Sequence, residues 1–102
     1  MAVAELFRAL GDPTRLEIVR RLSSGSSYTL TTVSTGLQIT RQGARKHLQI
    51  LADAKLVHLE PKGRDTAVIL DRETLDEGRE FIAKLEKQWD MRLEKLKKFV
   101  ED

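Results

Sequence analysis

Thr40-Arg41-Gln42-Gly43-Ala44-Arg45-Lys46-His47-Leu48-Gln49-Ile50-Leu51 is the stretch from which the rest of the chain can be read. Thr40 is a good N-cap, and Ala44, Leu48 and Leu51 fall within about 60° of one another at about 100° per residue, which predicts an amphipathic helix. Gln42, Arg45, Lys46 and Gln49 then share the opposite face. Just after Lys55 the period changes. Val57-His58-Leu59-Glu60 alternates, Pro61-Lys62-Gly63-Arg64-Asp65 reads as a turn, and Thr66–Leu70 is rich in β-branched and apolar residues, so a β-hairpin follows the helix.

Upstream, Thr29 is placed to cap a third helix carrying Leu30, Val33 and Leu37 at i, i+3 and i+7. Its threonines are weak helix formers. Further back, Gly11-Asp12-Pro13 is a boundary: a short helix over Val3–Leu10 stops at Gly11, Asp12 caps the next, and Pro13 takes its first position. Leu16, Ile18, Val19 and Leu22 give that second helix its apolar face, which runs to about Ser23. Downstream, Asp71 caps a last helix with Leu75, Ile82, Leu85, Trp89, Leu93, Leu96 and Val100 spaced by three, four or seven. The fold class is therefore mainly α with a small β-hairpin: four helices, a hairpin and one long helix, in one domain spanning residues 1–102.

Composition excludes several classes of function. A chain of 102 residues buries only about two-thirds of its unfolded surface, leaving little room for a substrate cavity. No cysteine is present, which removes disulfides, thiol nucleophiles and thiolate metal sites. Glu5 and Arg8 interrupt the N-terminal segment where a signal peptide needs an apolar run, and Ala67–Leu70 is the longest wholly apolar stretch, so a soluble cytoplasmic protein is expected. Ser23-Ser24 and Ser26-Ser27 form a loop around Gly25 without an activated-nucleophile context, and Gly36, Gly43 and Gly63 are too isolated to cradle a phosphate. No catalytic residue, cofactor or enzymatic activity is expected.

The net charge is only +2, but its distribution is uneven. Residues 41–64 carry Arg41, Arg45, Lys46, Lys55, Lys62 and Arg64 against Asp53 and Glu60, whereas residues 71–102 carry eight basic and ten acidic side chains. Charged residues solvate any helix face, and that reading stands beside a functional one. A short basic helix following another short helix, with more positive charge on a hairpin tip, also suits a major groove about 12 Å wide and the phosphates beside it. Arginine pairs bidentately with guanine and glutamine with adenine, while Thr40 and the free N–H groups at the helix start suit a phosphate.

Phe7-Arg8-Ala9-Leu10-Gly11-Asp12-Pro13-Thr14-Arg15-Leu16-Glu17-Ile18 is similar to the opening signature of ArsR/SmtB-type transcriptional regulators. Ile39 through Leu48 resembles their recognition helix, and Leu51 through Val57 the passage into their wing. The resemblance implies a winged helix-turn-helix homodimer that represses transcription from an operator and is released by an effector. It assigns residues 29–52 to the helix-turn-helix, 56–70 to the wing, and 1–10 and 71–102 to dimerisation helices. Thr40, Arg41, Gln42, Arg45 and Lys46 become the groove-facing set on double-stranded DNA, joined by Gln49, with His47 at its inner edge in a groove-edge or packing role and Lys62, Gly63 and Arg64 at the wing tip.

Two features depart from the family pattern. Gly43 stands inside the recognition helix at a cost of up to about 1 kcal/mol relative to alanine, and Gln38 stands where a helix-ending glycine is common. Family members that sense metals use Cys on the third helix, or Asp and His on the C-terminal helices; this chain has no Cys and no His beyond position 58. Asp76, Glu77 and Glu80 on one helix would make at most a weak oxygen site, and the two histidines are eleven residues apart, so no metal site is expected.

An unbroken helix over residues 72–100 would span roughly 44 Å at 1.5 Å per residue, against a radius of gyration near 13 Å for a compact chain of this length. Leu85, Trp89, Leu93 and Leu96 then outrun the body that should cover them and are expected to meet a second copy, with Leu6 and Phe7 of the first helix contributing to the same interface. A break at Gly78 and an intrachain role for Trp89 are the competing readings. The function expected from all this is a sequence-specific DNA-binding regulator, a repressor on an inverted repeat. The runner-up is a winged-helix module docking an acidic protein partner.

Overall fold

The computed structural model describes residues 3–101. Helix α1 (Val3–Leu10) closes at Gly11, and α2 (Pro13–Leu22) begins where the Asp12 carboxylate accepts from the Arg15 N–H at 3.0 Å. Ile18, Val19 and Leu22 are buried as expected. Leu16 is turned outward and is 54% exposed, because the inner face of α2 is centred on Ile18 and Leu22 instead.

Strand β1 (Tyr28–Thr29), which periodicity did not predict, leads into α3 (Leu30–Val33). The Thr29 cap is present as a reciprocal box with Thr32, yet the helix ends long before Leu37. The cause lies in its carbonyls. Ser34 Oγ donates to Leu30 O at 2.7 Å, Thr35 Oγ1 donates to Thr31 O at 3.0 Å, and Arg21 donates to Val33 O at 2.9 Å. Side-chain donors thus occupy the acceptors that a further helical turn would need.

Helix α4 (Arg41–Asp53) stops in a Schellman turn: Lys55 N–H donates to Ala52 O and Leu56 N–H to Leu51 O, both at 2.9 Å. Lys55 holds the left-handed position at φ 63° that glycine usually takes. Strands β2 (Val57–Lys62) and β3 (Asp65–Leu70) pair antiparallel, and β1 adds to the other edge of β3 through Tyr28 opposite Val68, giving the order β1-β3-β2. The core lies between helices and sheet, with Ile18, Val33, Ala44, Leu51 and Leu56 fully buried.

Asp71 caps α5 (Arg72–Glu101) through its carboxylate and the Thr74 N–H at 3.1 Å. The helix runs unbroken through Gly78, which settles the choice between the two readings of its length. Gly78 is where α1 crosses: a Cβ there would meet Leu6 Cδ2 at 3.2 Å, and the Phe7 and Phe81 rings lie 6.0 Å apart one turn on. Beyond that contact every described residue of α5 is exposed, and the molecule measures 68 × 25 × 23 Å with a radius of gyration of 18.2 Å. No described helix is long and apolar enough to cross a membrane.

Two outcomes follow for stability. Lys55→Gly relieves the left-handed strain and should raise the free energy of unfolding by about 1 kcal/mol, seen as a higher urea midpoint at unchanged m-value. Glu17 is held down to about 2 by the Arg20 guanidinium, with Arg21 adding to it, so its contribution is present above the unfolded value of 4.5 and is lost as pH falls toward 2. Glu17→Gln should flatten that part of the acid-unfolding profile, and an unchanged profile would contradict the pairing.

Candidate nucleic-acid interface

The segment from α3 to α4 is held from behind. Arg21 donates to the carbonyls of Val33 and Thr35, at 2.9 and 2.6 Å, and so fixes the turn that follows α3. That turn needs two left-handed residues, Gly36 at φ 81° and Gln38 at φ 56°. Gln38 therefore holds a left-handed conformation that favours glycine. The chain then enters α4 through Thr40, whose hydroxyl accepts from the Gly43 N–H at 2.9 Å. Gly43 now has a reason: a Cβ at this position would lie 3.2 Å from Thr40 Oγ1 and crowd the cap.

On α4, Ala44, Leu48 and Leu51 face the core, while Gln42, Arg45, Lys46 and Gln49 are exposed. Gln49 is not wholly free, since its amide donates to Asp53 Oδ1 at 2.9 Å. Arg41 reaches back toward α3 and the sheet, donating to Thr31 Oγ1 at 3.3 Å with Asp65 Oδ1 at 4.0 Å, and keeps 58% of its side chain exposed. Asp65 is itself held below the usual carboxylate range, first by the Thr66 N–H and then by the Thr31 hydroxyl. Lys62 at the end of β2 and Gly63 and Arg64 in the turn to β3 are exposed, and Gly63 adopts φ 59° with open space around it. Among the described residues, Arg45, Lys46, Lys62 and Arg64 have no carboxylate within 4.0 Å, so their charge faces solvent uncompensated.

Of the two roles expected for His47, groove edge and packing, its contacts are those of a packing residue. Its Nδ1 lies 3.2 Å from an Arg15 guanidinium nitrogen and 3.9 Å from Asp12 Oδ2, and only 23% of the side chain is exposed. Arginine can only donate, so Nδ1 accepts. The ring is turned toward α2, away from the Arg45 face, and its role is to hold α4 in place. Arg15 also donates to Ala9 O at 2.7 Å, closing the end of α1. Arg15 and Arg21 are the positioning residues that periodicity did not single out. For Arg15 the available signal was its place three residues after the Asp12 cap; for Arg21 there was none beyond a basic residue in a last helical turn. His58 is exposed on β2 and is hydrogen-bonded to Asp71 Oδ2 at 2.8 Å, tying the sheet to the start of α5. Asp71 is held low by the Thr74 N–H and then by His58. No three His, Asp or Glu side chains converge among the described residues.

The surface expected to meet a second copy is also visible. Leu85, Trp89, Leu93 and Leu96 are exposed, Trp89 at 59%, which removes the intrachain reading of that tryptophan. Leu6 departs from expectation: it is only 2% exposed because Gly78 of the same chain takes its side chain, so it lies beneath this surface instead of on it. Phe7 is half-buried and lines, with Leu10, Leu75 and Ile82, an apolar groove of 360 Å³ between α1 and α5.

Residues 10–60 match the family model of a helix-turn-helix domain. The chain is 40% identical over 76 residues to the uncharacterized HTH-type transcriptional regulator YuzN of Bacillus subtilis, covering 69% of this chain and 83% of that protein. Among solved structures it is similar to an ArsR-like transcriptional regulator from Rhodococcus sp. RHA1, with 28% identity and a TM-score of 0.80 over 96% of this chain and 92% of the other. The homodimeric winged helix-turn-helix domain of Mb0332 from Mycobacterium bovis shares the fold at 20% identity and a TM-score of 0.66, covering 84% and 80% of the two chains.

The Thr40 hydroxyl is the local device that starts α4. Thr40→Ala should cost about 1 kcal/mol of stability in urea unfolding, and Thr40→Ser should restore most of it. Equal loss in both variants would mean that the methyl group, not the cap, was responsible.

Proposed function

Because the chain belongs to the ArsR-type winged helix-turn-helix transcriptional regulators, we propose that it acts as a repressor, binding an inverted-repeat operator as a homodimer in the cytoplasm. What supports this reading is that Arg45 and Lys46 of α4, Lys62 at the end of β2 and Arg64 in the β2–β3 turn are all exposed and have no carboxylate within 4.0 Å among the described residues. In this reading Gln42, Arg45 and Gln49 meet base edges in the major groove, with Thr40, Arg41 and Lys46 on the flanking phosphates. Lys62, Gly63 and Arg64 form the wing tip on the neighbouring backbone, while His47 acts only through Arg15.

Homodimer formation rests on the exposed stripe of α5, and a two-fold suits two recognition helices entering grooves about 34–36 Å apart. Effector release is not assigned to a metal. The chain has no thiolate to offer, and both histidines are already engaged, His47 with Arg15 and His58 with Asp71.

Arg45→Ala should weaken binding to the operator by about 1–3 kcal/mol and relax specificity at one position. Lys62→Ala should weaken all duplexes alike and lower the salt slope by about one. Gel shift across a salt series checks both; unchanged binding in both variants removes this face from the interface. Weak duplex affinity even near ~50 mM salt would favour the docking of an acidic protein instead.

A further inference from the structure

Between the end of α2 and the start of β1 the chain turns through the serine-rich loop at residues 23–27. With the edge of β3 and the first turn of α5, that loop walls a cavity of 580 Å³ beside the wing. Its size is that of a small-molecule site, which commonly measures about 300–1,000 Å³. Leu22, Ala67, Ile69 and Leu75 give it an apolar lining, while Ser26, Ser27 and Tyr28 bring hydroxyls. Lys62 and Arg72 line it as well, and among the described residues no Asp or Glu does.

The two cations are unopposed. Neither has a carboxylate within 4.0 Å among the described residues. Lys62 stands opposite Asp65 and Arg72 follows Leu70 by two residues, so they approach from opposite ends of β3. Arg72 lies in the first turn of α5, the positive end of the helix, where a cation destabilises it. A backbone donor adds to them. The Asp71 N–H donates to Leu56 O at 2.8 Å, and this alternation turns the N–H of Leu70 away from β2, toward the β1 side. Because β1 begins only at Tyr28, opposite Val68, no strand residue faces Leu70, and its N–H has no backbone partner among the described residues.

Resting on the repressor reading above, we infer that this cavity takes a small organic acid with an apolar body, whose carboxylate draws Lys62 away from DNA. An apolar body on Leu22 and Ile69 releases water from both surfaces, which a bare inorganic anion cannot do. A carboxylate in turn answers the unpaired Lys62 and Arg72, which a neutral ligand leaves unmet. Lys62 is common to both partners: its ammonium serves a phosphate beside the wing or the ligand in the cavity. The acid therefore lowers the affinity for DNA, and DNA lowers the affinity for the acid by the same factor.

Naphthoate is the probe and its uncharged amide the control. In the full chain with labelled Ala, Ile and Leu methyl groups, NMR titration with naphthoate should shift Ala67 and Ile69 saturably and leave Leu93 and Leu96 of α5 in place. Arg72→Ala and Lys62→Ala should each weaken that binding about fivefold, the loss of one partly exposed charge pair. In gel shift, naphthoate should weaken the duplex complex of the unaltered chain and lower its salt slope, yet leave the complex of Lys62→Ala as it was. Shifts confined to the α5 stripe, or equal binding of the amide, would overturn the site. Saturable binding at Ala67 and Ile69 with unchanged duplex affinity would overturn the competition for Lys62. A chain that binds no duplex at any salt overturns the repressor reading and the competition with it, while the methyl shifts still decide the cavity, since they are read without DNA.

Discussion

The guanidinium of Arg15 is the contact on which the geometry of the basic face depends. Its Nε donates to Ala9 O at the end of α1, one terminal nitrogen meets His47 on α4, and its backbone N–H binds the Asp12 cap that begins α2. Three helices are thereby held by one side chain at a site that is only part-buried. Arginine suits the task because its donors are fixed in a plane and its charge is permanent, so a free helix-end carbonyl and an imidazole acceptor can be met together. The Asp12-Pro13-Thr14-Arg15 stretch thus matters as much for its fourth residue as for the helix start that its first two announce.

From that anchor the outward face follows with little further machinery. Ala44, Leu48 and Leu51 are fully buried, so rotation of α4 about its axis is set, and Arg45 and Lys46 can only point away from the body. Arg21 plays the corresponding part for α3. The hydroxyls of Ser34 and Thr35 shorten that helix to a single turn, and Arg21 binds the carbonyls left over. A short first helix, a tight left-handed turn and a well-capped second helix are what let a helix-turn-helix stand proud of a chain this small. Opposed acids are scarce here, with Asp53 occupied by Gln49 and Asp65 by Thr66 and Thr31.

The long helix obeys a different constraint. Its first two turns are fastened by the Asp71 cap, the His58 contact and the seat of Leu6 on Gly78. Its remaining length has no intrachain cover, and a row of Leu and Trp in water is a persistent cost that a second surface would remove. Gly78 serves this arrangement by lacking a Cβ, which lets Leu6 of α1 seat against the helix.

Much of this was legible in the residue order, because caps and amphipathic periodicity are local. Asp12-Pro13, Thr40 and Asp71 mark helix starts by side-chain chemistry within three residues, and the hairpin shows itself by a change of period. The outward placement of Arg45, Lys46, Lys62 and Arg64 belongs to the same class of inference. Tertiary structure alone decided that the turn after α3 is pinned by Arg21, twelve and fourteen residues away, and that Tyr28–Thr29 becomes a strand, since its partner is β3. It also decided that His47 faces Arg15 and that Leu6 is spent on Gly78. A side chain on the border of a helix face has no preferred direction until a distant group supplies a bond or a hollow, and neither can be read from neighbours in sequence.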